Sequence, residues 1–297
     1  MGTHCSIRIS RITLLSHERL PLVTTRSAEE MIAYALEMDP ELLPFAPELL
    51  SDLGALGSEV DAIVAAIGAL GLDSATVVDL GSGKGAVSIA IARELGLAVH
   101  GIELFEPFVN SSREAAEMAG VADRCLFSHG DIMEMAGSID VADVAVFAAL
   151  GDVLGPLDVT VGILRQYVRP GGFVVINDCC LREGVDVSFP GFEHYDTLEN
   201  TRPLLTAFGD ELYAEILENE LDDSSELRGD GRREECGDGT GVEQEDEGAL
   251  IVARAQELAR RYPEKEPLLR EFMDSQVAEY EYLEQSTIDV VWVLRRS

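Results

Sequence analysis

The sequence is nearly free of lysine: Lys84 and Lys265 are the two it has, and the rest of its positive charge is arginine. Lysine and arginine together number 22 against 55 acids, giving a formal net charge of -33. So small a supply of cations removes the usual grip on a phosphate backbone or an anionic lipid surface, and neither nucleic-acid nor membrane partners are expected. The same excess of acid also suits a solvated, self-repelling coat for high salt. Cysteine is scarce too. Cys5, Cys125, Cys179, Cys180 and Cys236 show no paired spacing and no CxxC, which argues against a disulfide framework and for a reducing, cytoplasmic setting. No run approaches the ~18 apolar residues of a membrane span.

What is present divides the chain unevenly. Residues 1–26 carry four arginines and a single acid, Glu18, with no apolar centre long enough for a secretory signal. The opening "MGTHCS" formally fits an N-myristoylation pattern, but the segment reads as a disordered tail and is set aside. Residues 27–70 hold two helical patterns: "SAEEMIAYALEM", with acids in its first turn after Ser27, and "SEVDAIVAAIGAL", opening on Ser58. From 71 to 217, apolar runs alternate with helix-like stretches. "ATVVDL", "AVHGIEL", "RCLFSHGDI", "ADVAVFAAL" and "FVVIND" read as five strands, and "ELYAEILE" as a strand whose length would also suit a helix. The alternation implies βαβ units around a doubly wound, mostly parallel sheet, an α/β fold. Residues 218–247 hold thirteen acids against three arginines and read as a mobile surface insertion. Two amphipathic helices and the strand "IDVVWVLRR", expected at a sheet edge, complete the same domain over 248–297.

The chemistry concentrates in "VVDLGSGKG", Val77 to Gly85. It lies at the carboxyl end of a strand and opens a helix, where an open parallel sheet binds ligands. Gly81, Gly83 and Gly85 permit a tight turn and let backbone N–H groups approach a ligand with no Cβ in the way. A phosphate-cradling loop is excluded, because Val78 stands where its first glycine belongs and Gly85 replaces the metal-binding hydroxyl. Asp79 would repel a diphosphate yet favour a cationic amine. A ligand with a ribose and a positive amino-acid end meets both conditions, and S-adenosylmethionine is such a molecule.

Here the sequence resembles the class I S-adenosylmethionine-dependent methyltransferases, from about Ser58 to Gly172 and more loosely to Arg296. "VVDLGSGKG" matches their first motif. The resemblance implies a seven-stranded sheet and S-adenosylmethionine as methyl donor, with Asp79, Gly81, Ser82, Gly83 and Gly85 at its amino-acid end. It further implies that Glu103, 18 residues beyond Gly85, binds both ribose hydroxyls and that Leu104 and Phe105 touch the adenine face. Asp131 and Ile132 would hold the adenine amino group and ring, and Ala148 with the stretch after it would line the methionine moiety.

The acceptor is less legible. No Asn/Asp-Pro-Pro-aromatic motif and no Pro-Cys nucleophile follows the fourth strand, which argues against nucleic-acid bases and leaves a small molecule favoured, a protein next. Asp152 and Asp178 fall at carboxyl ends of strands, as a general base or a pair holding a cation; capping of loops or helices is the plainer reading. His194 and Tyr195 sit on a connection that could cover the acceptor. Asn177-Asp178 reverses the order of the metal-dependent catechol-type enzymes, so no metal is expected. Cys179-Cys180 reads as packing. The C-terminal helices could mediate an oligomer. A non-catalytic module binding the donor or its demethylated product is the main alternative, and a nicotinamide oxidoreductase a distant third.

Overall fold

In the computed structural model, residues 26–185, 187, 189–217 and 247–297 are described. The expected tail, with Cys5, and the expected acidic insertion, with Cys236, lie outside the described residues but for Arg26 and Glu247.

Seven strands form one sheet: β1 (Thr76–Leu80), β2 (Ala98–Glu103), β3 (Cys125–His129), β4 (Ala142–Ala148), β5 (Val168–Leu181), β6 (Glu211–Leu217) and β7 (Thr287–Arg295). Their order is β3-β2-β1-β4-β5-β7-β6. β1 to β5 run parallel, whereas β7 is antiparallel to both β5 and β6. The order reverses between β1 and β4, so crossovers leave in opposite directions there and open a crevice at the strands' carboxyl ends. Valines and isoleucines of the central strands are buried from both sides. One face packs on the helices Val60–Ala69 and Ala86–Glu94, the other on Leu157–Leu164.

The last strand departs from expectation. β7 is interior and β6 holds the edge. The run Val290–Leu294 is 0–1% exposed, including Trp292, and a strand with five consecutive buried side chains needs cover on both faces. β5 is also longer than "FVVIND". Its pairing with β4 ends at Ala148↔Asn177, and Asp178 to Leu181 continue against β7, with Leu181 also bridging to Thr197. Asp178 therefore stands just beyond the tip of β4 although it lies within β5.

Over the crevice sits a helical cap made from both ends of the described chain. Ser27, expected to open the first helix, caps Ala28–Ala35 through a reciprocal pair, Ser27 Oγ accepting from the Glu30 amide and Glu30 from the Ser27 amide. Ser58 forms no such cap; the second helix begins at Val60. Leu42, Ala46 and Leu49 bury against Ile251, Leu258 and Leu269 of the helices Glu247–Arg261 and Glu266–Ser286. Arg254 forks onto Asp52 at 2.7 and 2.9 Å and Lys265 meets Glu41 at 2.8 Å, but exposed ion pairs contribute only ~0–1 kcal/mol each. The apolar cluster holds the cap.

Candidate functional site

Gly81, Gly83 and Gly85 all take positive φ (75°, 52° and 85°), which fits the turn from β1 into the following helix. Their amides, however, do not face the crevice unpaired. Those of Gly81 and Ser82 donate to the Ile102 carbonyl at 2.8 and 3.0 Å, that of Gly83 to Glu103 Oε2 at 2.9 Å, and that of Gly85 to the Ser82 carbonyl at 2.8 Å. In this structure these four amides are held by the protein itself. What glycine provides is close approach: a Cβ on Gly81 would strike Leu150, and one on Gly85 would lie 3.0 Å from Phe127 and from Ser112. Gly85 thus packs behind the loop and does not line the crevice. Gly101, unremarked in the sequence, leaves room for Ser82, whose Oγ a Cβ there would approach to 2.8 Å.

Ten of the eleven residues expected at the donor site line one cleft: Asp79, Gly81, Ser82, Gly83, Glu103, Leu104, Phe105, Asp131, Ile132 and Ala148. Asp79 is 2% exposed and accepts from Ser88 Oγ at 2.6 Å; burial lifts its pKa to about 6 against that bond. Glu103 accepts from the Gly83 amide and, at 2.7 Å, from the Phe105 amide, while burial lifts it to about 7. A carboxylate has about four acceptor positions, so Glu103, which the Leu104 amide also faces, keeps capacity for a further donor. Asp131 caps the turn Ile132–Met135, accepting from the Met133 amide at 2.6 Å. Ser82 Oγ is buried with no hydrogen-bond partner. That orphaned hydroxyl, the buried Asp79 and the underused Glu103 make a donor set that fits a ribose and an ammonium. Lys84, the one cation of the loop, points elsewhere: its Nζ donates to the carbonyls of Leu50 and Leu53 and ties the loop to the cap. The sequence held no signal for this contact.

A second cavity of about 540 Å³ adjoins the first. Ala35, Leu36, Leu56, Ala149, Leu150 and Val153 line both, forming an apolar seam. Asp152, Asp178, His194 and Tyr195, scattered in sequence, all line the second cavity, with Tyr34 of the cap. Tyr34 Oη donates to Asp152, and Tyr195 Oη donates to Asp178 at 2.9 Å. Burial, reinforced by these carboxylates, raises both phenols, Tyr34 to about 12, so both remain donors near neutrality. Asp178 is itself raised by burial. Cys180 is 1% exposed and its thiol is pushed up to about 12 by burial, as suits packing; Cys179 lines the cavity with its thiol raised by burial beside Asp178. Among the described residues no three His, Cys, Asp or Glu converge closely enough to hold a metal ion. The three non-glycine residues with positive φ among those described, Glu37, Leu56 and Ala149, all border these spaces, and such strain persists where surrounding structure enforces it.

A family model described as a methyltransferase domain matches residues 72–222. The uncharacterised protein YjhP of Escherichia coli K12 is 29% identical over 102 residues, 34% of this chain and 41% of that protein. The ribosomal protein L11 methyltransferase of Pasteurella multocida is 33% identical over 105 residues, 35% of this chain and 33% of that protein. The chain thus spans well under half the length of these curated relatives. A S-adenosyl-L-homocysteine complex of a methyltransferase from Geobacter sulfurreducens superposes with a TM-score of 0.65 at 22% identity, covering 86% of this chain and 98% of that one, which shows a shared fold.

Proposed function

The chain belongs to the methyltransferase-domain family, and on that premise we propose that it transfers a methyl group from S-adenosylmethionine to a small molecule held in the second cavity. The observation that carries this reading is the pairing of two spaces across one apolar seam, the first lined by the family's motif residues and the second by acids and phenols. Glu103 is assigned to the ribose hydroxyls, Leu104 and Phe105 to the adenine face, and Asp131 and Ile132 to its amino edge. Asp79 and Ser82 are assigned to the cationic amino-acid end, where buried charge is favoured by a close opposite charge. Bound there, the donor supplies an electrophilic methyl carbon: the acceptor's lone pair forms the new bond while the electrons of the breaking C–S bond return to sulfur.

The protein's own part is to position and to exclude water. Ala149, Leu150 and Val153 form a dry seam between the two ligands, and positioning of this kind contributes on the order of 7–11 kcal/mol in favourable cases. Where the acceptor arrives protonated, the proton passes to a carboxylate or to His194, because Tyr34 and Tyr195 are already donating to Asp152 and Asp178. The proposal includes a cytoplasmic setting, supported by the free thiols of Cys125, Cys179 and Cys180. Among the described residues no helix is long and apolar enough to cross a membrane.

Incubation with S-adenosylmethionine and a fractionated metabolite pool tests the reading. Release of S-adenosylhomocysteine that depends on one fraction is expected. Tight donor binding with no transfer from any metabolite or protein fraction would instead support a non-catalytic binding module, and transfer to protein alone would relocate the acceptor.

A further inference from the structure

We infer that the acceptor is a small organic cation, an amine protonated at neutral pH, seated between the carboxylates of Asp152, Asp178 and Glu279 and the rings of Phe192 and Tyr195. This rests on the proposed function, which places the acceptor in the second cavity. The cavity and its seam with the donor cleft fix the site; the side chains decide which charge it takes.

Six carboxylates line the cavity, from Glu37, Asp152, Asp178, Glu247, Glu279 and Asp289, and among the described residues lining it there is no lysine or arginine. Arg26 stacks on the Tyr34 ring at 3.8 Å but is not part of the lining. A chain of this composition has many acids on its surface, where water solvates them. Of the six, Asp152, Asp178, Glu247, Glu279 and Asp289 are partly withdrawn from water into a shared space, whereas Glu37 is exposed. Glu279 faces Glu37, and burial followed by that neighbour pushes its carboxyl up to about 9; Asp178 is raised by burial, opposed by Tyr195 and His194 and reinforced by Asp289. Burial disfavours the charged forms of Asp178 and Glu279, and an ammonium beside them restores those forms, whereas an anionic acceptor would oppose them further.

The aromatic lining points the same way. Phe192 sits 5.1 Å from the Tyr195 ring and 6.2 Å from His194, and the His194 and Tyr195 centroids are 4.0 Å apart. Ring faces beside carboxylates attract ammonium groups in particular. The acids are spread around the walls and do not converge as a metal site would, so the fit is to an extended organic cation.

The test uses the full chain loaded with S-adenosylhomocysteine and titrated calorimetrically with matched sets: phenethylamine, phenethyl alcohol and phenylpropanoate, then putrescine, butanediol and adipate. At least one amine is expected to bind roughly tenfold more tightly than its alcohol, with the carboxylate weakest. Asp178→Asn and, separately, Glu279→Gln should each weaken that amine by about tenfold and leave S-adenosylhomocysteine affinity unchanged. Equal affinity for amine and alcohol, preference for a carboxylate, or no binding by either amine overturns the inference. A protein that prefers amines but does not bind S-adenosylhomocysteine would sustain the inference and sink the donor assignment, so the two fail separately.

Discussion

The donor cleft and the second cavity share a wall yet are built in opposite ways. Nearly every functional group of the cleft comes from one stretch, Asp79 to Leu154, in which each strand of a βαβ unit delivers a residue at its tip. The cavity draws Tyr34 from the first helix, Asp152 from the loop after β4, Asp178 from β5, Tyr195 from a long connection and Glu279 from the helix Glu266–Ser286. A ligand read by local geometry leaves a local signature, whereas one read by assembled surfaces leaves none until the chain folds.

Three experiments sharpen that contrast. The largest expected effect is from Glu103→Ala, which deletes the carboxylate assigned to the ribose. Donor affinity should fall more than tenfold, a loss of about 1.5–3 kcal/mol for charge-assisted hydrogen bonds, while amine binding in the neighbouring cavity stays within about twofold. Unchanged donor affinity would show that the two regions are not divided as described.

The second concerns pH. Burial raises Glu103 to about 7, and hydroxyl donors favour its ionised form. Donor affinity should therefore strengthen as pH rises through 7 and weaken by up to about tenfold per unit below it, more steeply below about 6 as Asp79 also takes up its proton. The linkage sign for the ligand-free fold is the reverse. A carboxyl whose folded pKa lies above its unfolded value contributes stability at low pH that is lost as pH rises through 7. The thermal stabilisation conferred by S-adenosylhomocysteine should consequently be larger at pH 8 than at pH 6. A shift that is flat or grows toward acid would contradict the assignment.

The smallest effect is expected from Lys84→Met, which cuts the tie between loop and cap but leaves every donor-site carboxylate in place. Carbonyls left without a donor in a partly buried place cost ~1–3 kcal/mol, so the melting temperature should drop by several degrees with a modest loss of donor affinity. Loss of binding at unchanged stability would make Lys84 a ligand contact.

These contrasts also mark how far the sequence could be read. The five strands up to β5 and the helix after Ser27 follow from local periodicity, and the ten cleft residues from the resemblance carried by the motifs, because hydrophobic alternation and tip residues are properties of short windows. The roles of the loop amides could not be read so, since their acceptors, Ile102 and Glu103, lie on the neighbouring strand. The interior place of β7 was legible in its five buried apolar residues in a row but was outweighed by its position at the end of the chain. That Lys84 ties the loop to the cap could not be read, because its carbonyl partners lie more than 30 residues away. Asp152, Asp178 and Tyr195 were candidates by type and by place at strand ends or on a covering connection; their partnership with Tyr34 and with one another through a common cavity is a product of the cap closing over the sheet.

The most direct measurement is a calorimetric titration of the purified protein with S-adenosylhomocysteine at pH 7, run beside NAD and ATP and repeated in two buffers of different ionisation enthalpy. Saturable heat for S-adenosylhomocysteine alone, with a buffer-dependent component that reveals a proton leaving Glu103 at pH near 7, is the expected result. Heat for NAD or ATP and none for S-adenosylhomocysteine would contradict the account at its root.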